Sequence, residues 1–153
     1  MVLRSVSKFY AAPGLRFGYG VTGNKDFLAT LKTNQNPWSL NSVAEFAGKQ
    51  MFTDNDYIGK TRALILTERS KMIDRLKTFR YVKVYDAYAN FIFLRILKEG
   101  MTSFDVFEHA IKKKMMIRDC SSFEGLDGEY IRFCIMSPED NKKLLDCLEE
   151  ILG

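Results

Sequence analysis

Lys8 and Arg16, carried in the segment SVSKFYAAPGLRFGYGV, are the residues whose types and spacing best suit chemistry. Val2, Leu3 and Val6, with intervening Arg4, Ser5 and Ser7, predict a short buried strand, so that Lys8 falls where the strand gives out. A lysine amine there can face a cleft. Desolvated or set near other cations, it becomes a nucleophile for a carbonyl such as an aldehyde cofactor. Ala11, Ala12, Pro13 and Gly14 let the backbone turn tightly, and Arg16 then returns to the same place. A guanidinium offers a donor fork matched to phosphate, and the hydroxyls of Ser5 and Ser7 can add hydrogen bonds to phosphate oxygens. On residue types alone the alternative is a pair of solvated charges flanking a Pro-Gly turn.

The second candidate is Arg132 in EYIRFCI. Alternation puts Tyr130, Arg132 and Cys134 on one face of a strand and Ile131, Phe133 and Ile135 on the other, and an arginine inside such a strand needs an anion.

Ser5, Val6, Ser7, Lys8, Ala11, Gly14, Arg16 and Gly18 resemble the lysine motif of the class I and II aminotransferases, the fold-type-I pyridoxal-phosphate enzymes. Phe17 is bulkier than the family's usual aliphatic residue. NPWSLNSVAEFAG, ANFIFLRI, MIRDCSSFEGL and YIRFCIMSPEDNKKLLDCLEEIL follow in the order found in histidinol-phosphate aminotransferases and threonine-phosphate decarboxylases. The resemblance implies pyridoxal 5'-phosphate as cofactor, with Lys8 as its covalent anchor and as general base, and Ser5, Ser7 and Arg16 around the phosphate. It places Arg132 on the substrate α-carboxylate. It places Arg118 near the substrate side, where a distal phosphate could lie; an ion pair of Arg118 with Asp119 or Glu129 is the alternative. Proton removal at the α-carbon would give amino transfer, and loss of the carboxylate would give decarboxylation.

Length qualifies this. The chain has 153 residues, whereas the family's full chain is more than twice as long and carries its lysine past the middle. The expectation is an α/β fold consisting of the C-terminal part of the pyridoxal-phosphate transferase fold. Residues 1–52 would be the remnant of the large cofactor domain, 53–79 a long linking helix and 80–153 a small α+β domain. An aminotransferase is expected, as a fragment inactive alone, with a decarboxylase or a non-catalytic associating fragment as the alternatives. The resemblance implies a homodimer.

The elements that must position these residues can be read locally. A second strand is expected over Leu15 to Val21, then Asn24 as the N-cap of a helix, with Pro37 ending it and Ser39 or Asn41 capping the next. Ile58, Ile65, Met72, Leu76 and Phe79 recur at helical spacing and predict one long helix, with Gly59 as a possible bend. Val82 to Tyr85, Asn90 to Ile96, Met115 to Ile117 and Tyr130 to Met136 read as strands. Ser103 reads as the cap of a helix with Phe104, Phe107, Ala110 and Ile111 on one side. Ser137 and Pro138 start a last helix with Leu144, Leu145, Leu148, Ile151 and Leu152 inward.

Composition narrows the field. Hydrophobic residues make up 46% and charged residues 27%, enough apolar material for a core. No run of ~18 apolar residues or signal-peptide layout is present, so a cytoplasmic protein is expected, with no membrane partner. The net charge of +4 is spread along the chain and gives nucleic-acid binding little support. Cys120, Cys134 and Cys147 lack paired spacing and read as buried free thiols. One histidine, His109, excludes a histidine-based metal cluster and reads as a surface residue. Trp38 is expected to pack in the large domain or at a subunit contact. Gly18, Gly20 and Gly23 spell a dinucleotide fingerprint, but they lie within an expected strand instead of after it.

Overall fold

The computed structural model describes residues 1–153 and divides into two compact units, Met1–Thr61 and Arg62–Gly153. In the first, β1 (Val2–Ser5) pairs antiparallel with β2 (Gly18–Val21), with Val2 opposite Val21 and Ser5 opposite Gly18. Gly18 is required by that approach, since a Cβ would stand 2.8 Å from the Arg4 carbonyl oxygen. The strand expected to be buried is exposed along its length, Leu3 to 70%. A two-stranded ladder has no further strand to cover it, and burial begins only at Val6.

The second strand is also shorter than expected. Pro13–Leu15 forms a 3-10 turn and Arg16 takes a left-handed backbone, so extended pairing resumes only at Gly18. Asn24 caps α1 (Lys25–Asn34) by accepting from the Phe27 N–H, and Asn41 caps α2 (Ser42–Met51) by accepting from the Ala44 N–H. The amide of Asn41 also reaches the Leu15 carbonyl at 3.0 Å, which ties α2 to the loop after the turn. Gly48 lets α2 meet Phe17, whose ring would lie 2.5 Å from an added Cβ. Trp38, expected in the large domain or at a subunit contact, is 97% exposed within this chain.

α3 (Asn55–Leu76) is unbroken through Gly59, and its second half enters the core of the second unit through Met72 and Leu76. That unit is a four-stranded antiparallel sheet in the order β3 (Val82–Val84), β4 (Phe91–Ile96), β6 (Tyr130–Cys134), β5 (Arg118–Asp119). Ile92, Leu94 and Ile96 of β4 and Ile131 and Phe133 of β6 point to one side, where Val106 and Ala110 of α4 (Ser103–Lys112) and Leu144, Leu148 and Leu152 of α5 (Pro138–Leu152) complete the core. The residues between them on the strands form the opposite face.

Several local expectations are corrected. The α4 cap is Thr102, in a reciprocal capping box with Asp105, and Ser103 is the first helical residue. Phe104 is 56% exposed and Ile111 is exposed, while Val106 takes the inner position. Met115 to Ile117 is not a strand, because Lys114 turns left-handed after α4 and pairing starts at Arg118. Cys134 is exposed while Cys120 and Cys147 are buried, the strand's alternation turning Cys134 outward; all three are free. His109 is half-buried between helices, its Nε2 3.2 Å from Glu150 Oε2 on α5. α5 starts as expected, with Ser137 accepting from the Asp140 N–H.

Leu148 is fully buried at the centre of this core. Leu148→Ala is therefore expected to lower the stability of the unit by about 2–5 kcal/mol, read as a shift in the urea midpoint with little change in slope.

Candidate functional site

The lysine loop belongs to the first unit. Beyond β1 the strand pair continues by one bond, Val6 N–H to the Phe17 carbonyl at 3.2 Å, and Ser7, Lys8 and Arg16 lie within the loop that this bond closes. Ser5, Ser7, Lys8 and Arg16 are thus gathered by one closed loop. The Ser5 and Ser7 hydroxyl oxygens lie 2.8 Å apart, and the Ser5 oxygen also accepts from the Ser7 N–H at 3.2 Å. The Arg16 guanidinium donates to the Pro13 carbonyl at 3.1 Å and remains exposed.

Lys8 is exposed and its amine has no hydrogen-bond partner in the chain. The residues after it are held firmly. Phe9 packs edge-on to Tyr10, Tyr10 stacks on Tyr57 of α3 at 5.5 Å, and the Tyr57 hydroxyl donates to the Phe9 carbonyl at 2.8 Å. Free amine on a pinned backbone is the property wanted of a covalent anchor. The left-handed Arg16, at φ 52°, costs of order 1 kcal/mol in a residue with a Cβ, and such strain collects where a side chain must be aimed.

The arginine cleft belongs to the second unit. Phe104, Ile117, Arg118, Ser122, Arg132 and Cys134 are among the residues that line an open cavity of ≈ 600 Å³. Arg118 and Arg132 are direct cross-strand partners in β5 and β6. Like charges placed opposite each other are normally destabilising, and these two have no carboxylate between them. Asp119 is taken up by the Ser103 hydroxyl at 2.7 Å and by the backbone and hydroxyl of Ser121, each at 2.8 Å. Burial raises the Asp119 pKa, but those hydrogen bonds, with Arg118 beside it, outweigh burial and hold the carboxyl below its ordinary value. Glu129 accepts from the Ser103 N–H at the start of α4. The ion pair weighed for Arg118 is therefore not formed; its guanidinium donates to the Ser122 hydroxyl at 3.1 Å. Arg132 is held by rings alone, 5.0 Å from the centre of Phe91 and 6.0 Å from that of Phe123.

Sequence reasoning missed both rings, and it missed that Arg118 and Arg132 stand side by side. Phe91 could have been found, since alternation in FIFLRI sets Phe91, Phe93 and Arg95 opposite the core residues. Farther along the same face Phe93 stacks on Tyr130 at 5.2 Å, and Tyr130 donates to Asp127 at 2.8 Å. That bond, with burial adding to it, pushes the Tyr130 pKa up to about 12 and keeps the phenol protonated.

A buried clamp fixes the exit of β6. Asn141 accepts from the Met136 N–H at 2.8 Å and donates to the Met136 carbonyl at 2.9 Å and to Glu68 at 3.1 Å. Glu68 is 4% exposed, and hydrogen bonds from Lys71 and then Asn141 hold its carboxyl below the ordinary 4.5 against the effect of burial. The depressed value belongs to the folded state, so this stabilisation is full above the unfolded value and is lost as pH falls through the folded one. Melting temperatures measured from about pH 6 to about pH 3 should fall, and Glu68→Gln should flatten that slope.

Gly18 and Gly20 lie in β2 and Asn24 caps the next helix, so the glycine triplet makes no loop for a dinucleotide. No helix is long and apolar enough to cross a membrane.

A lysine loop closed by a strand pair, and a helix-covered sheet whose open face carries arginines, are the parts of a pyridoxal-phosphate transferase fold. The family model for aminotransferase class I and II matches residues 1–148, and the chain belongs to that family. Among similar proteins, the threonine-phosphate decarboxylase of Salmonella typhimurium is 34% identical over 99% of this chain and 41% of its own length. The histidinol-phosphate aminotransferase of Methanococcus aeolicus is 31% identical over 100% of this chain and 41% of its own length. The crystal structure of histidinol-phosphate aminotransferase from Clostridium acetobutylicum superimposes with a TM-score of 0.88 at 35% identity, covering 97% of this chain and 44% of that one. The chain thus spans about two fifths of the length of the curated relatives it matches.

Proposed function

We propose that this chain is the lysine- and arginine-bearing part of a pyridoxal-phosphate-dependent aminotransferase that acts on a small amino compound carrying a phosphate. The observation that carries the reading is the Arg118–Arg132 pair, cross-strand neighbours neither of which forms an ion pair with a carboxylate, in a family whose similar members include enzymes named for phosphorylated substrates. Residues 1–52 would then belong to a larger cofactor domain, 53–79 to a linking helix and 80–153 to a small domain, in a homodimer. Three free cysteines suit a cytoplasmic setting.

The lysine loop fits the cofactor. Lys8 offers an amine without a partner for the aldehyde, and Ser5, Ser7 and Arg16 offer hydroxyls and a fork of N–H donors for its phosphate. When bound, the pyridine ring serves as an electron sink for the α-carbon of the amino substrate. The chain's own contribution is positional and acid–base. Arg132 would take the substrate's carboxylate in a bidentate grip, Arg118 its phosphate, and the Lys8 amine, once free of the aldehyde, would accept the α-proton.

A second reading is decarboxylation, supported by the Salmonella relative and by a cleft able to hold carboxylate and phosphate together. The test is to give the complete protein a phosphorylated amino acid with and without a 2-oxo acid. Appearance of a new amino acid from the oxo acid supports aminotransfer. Release of carbon dioxide without amino transfer establishes the second reading, and neither product overturns both.

A further inference from the structure

We infer that Phe123 is a positioning residue that sets Arg118 and Arg132 as one double anion site, and so makes the cleft select ligands with two anionic groups over ligands with one. The inference rests on the reading of the cleft as a substrate site and names the device that gives it its preference. Both guanidiniums lie near the same ring, Arg118 at 5.3 Å and Arg132 at 6.0 Å from its centre. A ring face attracts cations, so one phenyl group offsets part of the repulsion between two charges that the register places opposite each other.

The loop that carries the ring is built to hold it. The Phe123 N–H donates to the Cys120 carbonyl at 3.0 Å, Asp119 pins Ser121, and Gly125 supplies the left-handed turn, at φ 83°, that brings the chain back toward β6. Phe123 is 38% exposed and lies outside the hydrophobic core, so its placement answers to the arginines more than to core packing. Phe91 lies 5.0 Å from the Arg132 guanidinium and Ser122 accepts from Arg118. Among the rings near the two arginines, Phe123 is the one shared by both. A ligand with a single anion can use either arginine, whereas carboxylate and phosphate together need the two at a fixed separation.

The test is binding of three probes to the protein by calorimetry: O-phospho-L-serine, with both anions; L-serine, with the carboxylate alone; and phosphoethanolamine, with the phosphate alone. Wild type should bind phosphoserine at least about tenfold more tightly than either single-anion probe, and Phe123→Leu should bring that ratio to within about threefold. Phe123→Trp, which keeps an aromatic face, should retain the preference, and unchanged circular dichroism melts would show that both variants fold. A Phe123→Leu protein that keeps the wild-type ratio overturns the role of the ring while leaving the substrate reading intact. A wild type without preference, or without binding of any probe, overturns the substrate reading and the inference with it.

Discussion

Arg132→Ala is expected to lower kcat/KM of the complete enzyme by about 10²–10³-fold, mostly through KM, because a charge-assisted bidentate contact to the substrate carboxylate would be lost. The environment of Arg132 makes this sharper than for an ordinary surface arginine. Arg132 is half-buried, its guanidinium lies 5.0 Å from the centre of Phe91 and 6.0 Å from that of Phe123, and it forms no ion pair with a carboxylate in the chain. Arg132→Lys should recover only part of the loss, since an ammonium keeps the charge without the planar fork or the stacking between rings. If Arg132→Ala instead left KM unchanged and only lowered the melting temperature, the arginine would be structural and the substrate assignment would fail.

The second large effect is expected at Lys8. Lys8→Ala should reduce turnover by at least about 10³-fold, removing both the covalent anchor and the general base. Lys8→Arg should not restore it, because a guanidinium stays protonated and is no nucleophile. Stability should hardly change in either variant, since Lys8 is exposed and its amine contacts nothing that the fold needs. A large loss of activity with an unchanged melting temperature separates a chemical role from a structural one.

Features set by a few neighbouring residues were legible in the sequence. Asn24 and Ser137 cap the helices assigned to them, Asn41 caps the helix for which Ser39 was the other candidate, and the alternation in EYIRFCI places Ile131 and Phe133 in the core and Arg132 away from it. The α4 cap was misplaced by one residue because Thr102 and Ser103 both carry hydroxyls. The deciding signal was Asp105, which completes a capping box with Thr102. What depends on distant partners was not legible. Val2 and Leu3 read as buried because they are apolar, yet whether a strand is covered depends on its neighbours, and β1 has only β2. The pairing of Arg118 with Arg132 depends on how the loop through Gly125 returns, and the ring shared by the two arginines exists only once that register is set.

The proposed two-anion preference and the lysine loop lie in different units. Ser5, Ser7, Lys8 and Arg16 are gathered in the first unit by the Val6–Phe17 bond, whereas Arg118, Arg132 and Phe123 are gathered in the second by the β5–β6 register. A substitution at Phe123 should therefore change which substrate is chosen without touching the attachment of the cofactor.

Cofactor attachment is tested by treating the complete protein with pyridoxal phosphate, reducing with borohydride, and mapping the modified lysine by peptide mass. Saturable modification of Lys8 alone, absent in Lys8→Ala, is expected. Modification scattered over surface lysines, equal in wild type and Lys8→Ala, would contradict it.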